Sequence, residues 1–426
     1  MPPDDHAAVK SIAPDEPDVG DPRAFWTYWS ASTTSGVGSA VTGVALPLIG
    51  VLILHAGAFE MGVLAAASYI AWLVVGLPAG AIVRHLPLRR LQVTLDLVRA
   101  GAMLSIPVSW WAGGLTMAQL VAVALVVSFA NVFFGVANTT FLPRVVPKSE
   151  LHSRNSLMSG TDAVTQLGGP SIGGLLVQSV GAVPTLLVDA ASYVMSALLL
   201  RHLPESVERV ERADRTPLRQ QMREGWNFVR NHPVMNVCMW DATVTNFVCG
   251  AQLALFAVYL VKIAHAPAGL VGFLLATEGI GALLGAAASP YIVRRLGSAR
   301  ACIAFGFVSV VGALLLPLGS HVGAWVLFGV GNAVFASGVV VLSTATRTFR
   351  QTATPPELLS RVMATVRFVS WGAIPIGALV AGVLGSWIGP RAALLVLGVV
   401  TVVSPVILLC SPVRHLRDLD DPIPAE

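Results

Sequence analysis

The chain reads as an all-α integral membrane protein, with twelve transmembrane helices in two pseudo-symmetric six-helix bundles. Three observations predict this. Of the 426 residues, 55% are hydrophobic and 12% charged, about half the ~25% charged share of soluble domains. Charge also vanishes in blocks: no Asp, Glu, Lys or Arg occurs from Ala24 to Phe59, from Ala100 to Leu142, or from Ala301 to Thr346. Each block exceeds the ~20 apolar residues that cross a hydrocarbon core. Finally, short motifs recur at a nearly fixed offset. Glu150-Leu151-His152-Ser153-Arg154 returns as Glu357-Leu358-Leu359-Ser360-Arg361, 207 residues later, and Arg84-His85-Leu86 returns as Arg294-Arg295-Leu296, 210 residues later. Two matches, each at the same place in its half, indicate a duplicated six-helix unit.

Taken in order, residues 1–23 are rich in Pro and Asp, the wrong composition for a signal peptide, and are expected as a disordered cytoplasmic tail. The N-terminal bundle, 24–203, holds helices expected near 25–54, 60–83, 90–112, 116–142, 155–179 and 183–203. The Gly113-Gly114 break separates its third and fourth spans. Residues 204–232 form a polar linker. Within it Leu218, Met222, Trp226 and Val229 fall on one helical face and Arg219, Arg223 and Arg230 on others, the pattern of an amphipathic helix at a membrane surface. The C-terminal bundle, 233–412, holds helices expected near 234–261, 268–292, 299–318, 322–346, 362–387 and 391–412. Pro317 to Gly323 and Gly389-Pro390 act as breaks, and 413–426 is expected as a cytoplasmic tail.

Orientation follows from the basic residues. The end that bears the termini receives Arg84, Arg89, Arg90, Arg144, Lys148, Arg154, Arg294, Arg295, Arg300, Arg347, Arg350, Arg361 and the linker arginines; the other end holds Lys262 and Arg391. The positive-inside rule therefore predicts cytoplasmic termini, and the Arg-heavy basic set, 24 Arg to 3 Lys, fits a bacterial source and hence its inner membrane. The net charge of +4 is orientation chemistry and not a nucleic-acid footprint. Cys238, Cys249, Cys302 and Cys410 form no C-x-x-C pair, so no metal site or disulfide framework is expected. None of the lysines (Lys10, Lys148, Lys262) follows a glycine, which excludes a phosphate-binding G-x-x-x-x-G-K-[ST] loop, and no His precedes a Glu, which excludes H-E-x-x-H. An enzyme is not expected, nor any cofactor.

Three passages give the chain a family likeness: Gly76-Leu77-Pro78-Ala79-Gly80-Ala81-Ile82-Val83-Arg84-His85-Leu86-Pro87-Leu88-Arg89-Arg90, Asp96-Leu97-Val98-Arg99-Ala100, and Gly169-Pro170-Ser171-Ile172-Gly173-Gly174. With them the chain resembles the major facilitator superfamily, and in particular its bacterial drug, macrolide and siderophore exporter branch. The resemblance implies two rocking bundles around a central cavity, a cytoplasmic loop at Gly76–Arg90, and an antiporter-type contact at Gly169, Pro170, Gly173 and Gly174. The chain departs from the family pattern at Arg84, where an Asp is usual, and at Thr165, where a glycine is usual.

Intramembrane carboxylates are costly and mark function by default. Glu278, midway along the eighth span with no cation within a turn, is the first candidate for proton coupling, with Asp241 and Asp189 behind it. Arg84, Arg89, Arg90, Asp96, Arg99, Asp162 and Arg367 are candidates for a cytoplasmic gate. Asn131, Asn138, Gln166, Asn246, Gln252, Asn332 and Trp371 are candidates for the cavity wall. An apolar cavity with scattered polar groups suits an amphipathic small molecule. The expectation is therefore a monomeric, proton-coupled exporter, with an importer or facilitator of the same fold as the alternative.

Overall fold

The computed structural model describes residues 22–76, 78–83, 86–147, 149–203 and 218–422. Arg84, residues 204–217 of the linker and nearly all of the N-terminal tail lie outside them. The first half comprises α1 (Pro22–Leu52), α2 (Ala58–Val75), the short α3 (Ala79–Val83), α4 (Leu88–Trp111), α5 (Met117–Val145), α6 (Leu151–Val180) and α7 (Ala182–Arg201). The surface helix α8 (Leu218–Asn231) follows. The second half comprises α9 (Pro233–Val258, prolonged by a π-helical turn Tyr259–Ile263), α10 (Ala268–Leu296), α11 (Ser298–Leu315), α12 (Val322–Ala353), α13 (Pro356–Ile388), α14 (Pro390–Val400) and α15 (Val403–Leu409).

Among the described residues eleven stretches are long and apolar enough to span a membrane, with α14 and α15 together forming the last. The twelfth rod is α6, 30 residues long, whose glycine, serine and threonine content lowers its hydropathy. Two expected helices are broken. The second span stops at Val75 and resumes as α3, because Gly76 and Pro78 interrupt it. The last is split at Thr401–Val402, four residues before Pro405, whose ring opposes the carbonyl one turn back. The duplication is visible in the backbone. The joint between α6 and α7 is Gly181 at φ 94°, ψ 158°, and the joint between α13 and α14 is Gly389 at φ 84°, ψ 154°. These are conformations that suit glycine, and they recur 208 residues apart.

Packing divides unevenly along the molecule. At the α8 end the two halves keep separate apolar cores, one around Phe25, Tyr28, Leu88 and Phe141, the other around Met235, Cys302, Phe349 and Val362. At the far end one core joins both halves, from Leu48, Met61 and Ile106 to Leu255, Phe328 and Leu394. The halves are therefore fused at the far end and parted at the α8 end.

Helix α8 is amphipathic as expected, but its apolar face is spent on the second half. Val229 is fully buried, Trp226 packs beside it, and Gly225 lies against the Arg361 carbonyl of α13. Glu224 forms a salt bridge with Arg361. Tyr28 is buried inside the first half, donating to the Asn138 carbonyl at 2.9 Å. The C-terminal segment is not a free tail over its described length. Val413, Leu416 and Leu419 are buried; Asp418 Oδ1 accepts from Ser298 N at 2.7 Å, and Leu419 N donates to Ser298 Oγ at 2.8 Å.

Candidate functional site

The far end is closed by two glycine contacts related by the internal repeat. A Cβ on Gly174 of α6 would stand 2.7 Å from Gly272 Cα of α10; a Cβ on Gly62 of α2 would stand 2.7 Å from Gly382 Cα of α13. Gly62 and Gly272 are 210 residues apart, and Gly174 and Gly382 are 208. The two contacts are thus one motif used twice, and absent side chains let backbones touch across the seam. Beside them Lys262 Nζ reaches from the π-helical turn of α9 to the carbonyls of His55 (3.1 Å) and Ala56 (2.8 Å) in the α1–α2 loop. A cation at this end is therefore spent on tying the halves together. Arg391 is spent within the second half, on the carbonyls of Pro317 and Gly319, both at 2.9 Å.

Toward the α8 end a cleft of about 750 Å³ opens between α2, α9, α12 and α13. Asn246 and Trp371, both expected on the wall, line it. Trp72, Arg347 and Arg350 line it too, and sequence reasoning had not singled them out as wall residues. Arg367, expected at a gate, is held between two aromatic rings of the cleft, its guanidinium carbon 4.2 Å from Trp72 and 4.2 Å from Trp371. The rings themselves meet edge-on at 5.0 Å, linking α2 to α13.

Glu278 on α10 is exposed. The exposed apolar residues Phe273, Ile280, Leu284 and Tyr291 form the outward stripe of α10, and at 100° per residue Glu278 points roughly 140–200° away from Phe273 and Ile280. It lies within electrostatic reach of Tyr69 on α2 and of Cys249 on α9, and Cys249 lines the cleft. Its neighbour Gly279 lies against Leu167 of α6. Glu278 therefore stands in the seam, where the halves begin to part.

The other two carboxylates are internal to single halves. Asp241, fully buried, accepts from Ser404 Oγ of α15 at 2.5 Å, with Oδ2 unpartnered. Asp189, fully buried, accepts from Thr42 Oγ1 at 2.5 Å and Ser192 Oγ at 3.3 Å. Near it Asp96 and Arg99 form a buried ion pair, with Arg99 Nη1 donating to Asn131 Oδ1 at 2.9 Å and its guanidinium 4.2 Å from the Phe134 ring and 4.4 Å from Tyr193. This cluster borders a second cavity of about 360 Å³, lined by Ser39, Thr42, Tyr69, Asn131 and Tyr193 of the first half and closed at the seam by Leu253 of α9. Asp96 and Arg99, both expected at a cytoplasmic gate, thus pair with each other deep within one bundle. Asp162 is exposed on α6 and forms no ion pair among the described residues. Arg89 holds the end of the first bundle through the Leu203 carbonyl at 2.8 Å, and Arg90 is exposed.

The remaining wall candidates separate. Asn138 is spent on Tyr28, and Asn332 donates to Leu274 O and Thr277 Oγ1, both at 3.3 Å, so both serve helix contacts and line neither cavity. Gln252 is buried and lines neither cavity, and Gln166 is exposed on α6. Of the α6 motif, Gly169 and Gly173 pack on Ala40 and Val41 of α1, and the carbonyl of Pro170, with Gly174, meets Gly272.

Comparison with known proteins matches this architecture. A 29% identical relative, the multidrug efflux pump Tap of Mycolicibacterium fortuitum, aligns over 408 residues, 92% of this chain and 95% of the other. Tap of Mycobacterium tuberculosis strain H37Rv is 27% identical over 402 residues, 92% and 93% of the two chains. Among solved structures the nucleoside transporter NupG superposes with a TM-score of 0.77 at 13% identity, over 91% of this chain and 99% of that one. A bacterial homologue of the iron transporter ferroportin in an inward-facing state gives 0.72 at 17%, over 91% and 98%. These last two share the fold. The family model for transmembrane secretion effectors matches residues 21–424, and the chain belongs to that family of major facilitator transporters.

Proposed function

We propose that the protein is a proton-coupled exporter that carries an amphipathic small molecule out of a bacterial cell by alternating access. On this reading it sits in the inner membrane with the termini and α8 in the cytoplasm, in agreement with the crowding of arginines at that end. The far end then faces outward and the cleft faces inward, ready to load cargo. The relatives named as efflux pumps favour the outward direction.

The observation that carries the coupling assignment is the position of Glu278. It is the exposed carboxylate in the seam, whereas Asp241 and Asp189 are enclosed in single halves and already accept hydroxyl hydrogen bonds. A proton carrier must meet water from alternate sides, and a group in the seam between the halves does so when they rock. Proton binding at Glu278 removes a charge from the membrane interior, which lowers the cost of closing the halves around it. Cargo enters between α2, α9, α12 and α13, and parting of the two glycine contacts releases it outward.

Replacing Glu278→Gln should abolish efflux driven by a pH gradient while leaving expression and folding intact. Transport in inverted vesicles, where the proposed cargo direction becomes accumulation, reads it. Undiminished coupled transport would refute the carrier role.

A further inference from the structure

The cleft has a chemical bias that fixes more than its size. Its three charged lining residues are all arginines: Arg347, Arg350 and Arg367. Arg347 lies within electrostatic reach of both others, so like charges are gathered where dispersal would be cheaper. No carboxylate lines the cleft among the described residues. Asp241 is near enough to Arg350 to act on it, but its hydrogen bond goes to Ser404. Arg350 is 9% exposed, and its Nε and Nη1 have no partner. A buried guanidinium with idle donors, facing a cavity, is a site short of an acceptor. Arg367 is fixed by stacking between Trp72 and Trp371, which holds its charge in place without satisfying it.

We propose that the cleft recognises an anionic aromatic amphiphile: a carboxylate, sulfonate or phosphate group held by Arg347 and Arg350, with an aromatic body against Trp72, Trp371 and Phe368. The arginines supply charge-assisted, fork-shaped donors that match two oxygens of an acid group. The indoles supply flat apolar faces at low entropic cost. This rests on the reading of the cleft as the cargo path. The anion site is remote from the coupling carboxylate. Gly281 of α10 packs on Ala333 of α12, and Arg347 lies fourteen residues beyond Ala333, about 20 Å along the helix at 1.5 Å per residue. That is beyond the reach of a hydrogen bond or ion pair, so the acid group is held by the arginines and not by Glu278. An acidic cargo is then compatible with proton exchange.

The test uses two dyes on one three-ring scaffold, anionic fluorescein and cationic rhodamine 6G, bound to the purified full-length protein in an uncharged detergent. Fluorescence polarisation reads binding. Fluorescein should bind and rhodamine 6G should neither bind comparably nor displace it. Arg350→Gln and, separately, Arg367→Gln should each weaken fluorescein at least tenfold, while Arg350→Lys, which keeps the charge, should lose less. For the unaltered protein, affinity should fall as salt rises from about 0.05 to 0.5 M, a readout that needs no variant. Equal or tighter binding of rhodamine 6G, salt-independent fluorescein binding, or no binding of either dye would overturn the proposal. Displacement of fluorescein by added phosphatidylglycerol would assign the arginines to a lipid headgroup and also overturn it. No gradient is applied, so the result is independent of proton coupling: an uncoupled carrier of acids still binds fluorescein, and a coupled exporter of cations does not.

Discussion

Gly174→Ala is the most informative single substitution in the seam. The added methyl would stand 2.7 Å from Gly272 Cα and 2.9 Å from the Ala268 carbonyl oxygen, where ordinary carbon contacts lie at about 3.5–4.0 Å. Both obstacles are backbone, so neither can rotate away, and α6 and α10 must part by about 1 Å. Overpacking of this kind costs about 1–3 kcal/mol. The contact exists where the far ends meet, so the penalty falls on the far-end-closed state and spares a state in which these ends have separated. Such a bias shifts the balance of the two states by about 5- to 150-fold. The native Cys249 reports it, because it lines the cleft while Cys238 and Cys302 are buried. With the exposed Cys410 replaced by Ser, a charged maleimide added from the α8 side should label Cys249 more slowly in Gly174→Ala than in the parent. Gly101→Ala, whose Cβ would have nothing within 4 Å, should change nothing. An unaltered labelling rate in folded Gly174→Ala would show that the glycine contact does not hold the cleft open.

Four further outcomes are expected. Lys262→Met removes two hydrogen bonds across the halves; because the side chain is exposed, a bias of about 1 kcal/mol toward far-end opening is expected, read by the same labelling. Asp96→Asn leaves Arg99 buried without its counter-charge and should destabilise the first bundle by about 3–5 kcal/mol, seen as a lowered melting temperature in detergent. Trp226→Ala should loosen α8 from α13 and speed proteolysis in the linker, more than Glu224→Gln, whose partly exposed pair with Arg361 contributes ~1 kcal/mol or less. His232 caps α9, its Nδ1 accepting from Met235 N at 3.3 Å, and burial pushes its pKa below the usual histidine value. The cap therefore needs the neutral ring: its contribution is complete above about pH 6.5 and is lost as pH falls through the lowered folded-state value. His232→Asn keeps an acceptor that does not titrate, so its melting temperature should lack the acid-side decline of the parent.

The spans were legible because lipid imposes a long-range rule, and charge-free blocks reveal it without any neighbour being known. The repeat was legible at Glu150–Arg154 and Glu357–Arg361, since both halves start their fifth helix alike. The seam was less so. The glycines of α6 stood out as a motif, but Gly62, Gly272 and Gly382 looked like ordinary small residues; projecting the repeat offset onto every glycine would have paired them. Side-chain amides misled for a different reason. Asn138 and Asn332 carry the same groups as Asn246, and what separates them is whether a partner helix already supplies a hydrogen bond. Of the cleft arginines, Arg347 and Arg350 were counted as orientation signals and Arg367 as a gate residue, and neither reading reveals that the three converge.

The buckle formed by Val413, Leu416 and Leu419 over the α10–α11 turn has a practical corollary for handling the molecule. Ser298 donates to Asp418 and accepts from Leu419 there, so the last described residues act as a clasp on the second bundle. A reporter or purification handle grafted at position 413 would spring that clasp and leave three greasy side chains and a loose helix turn in water. The same graft placed beyond residue 422 leaves it fastened.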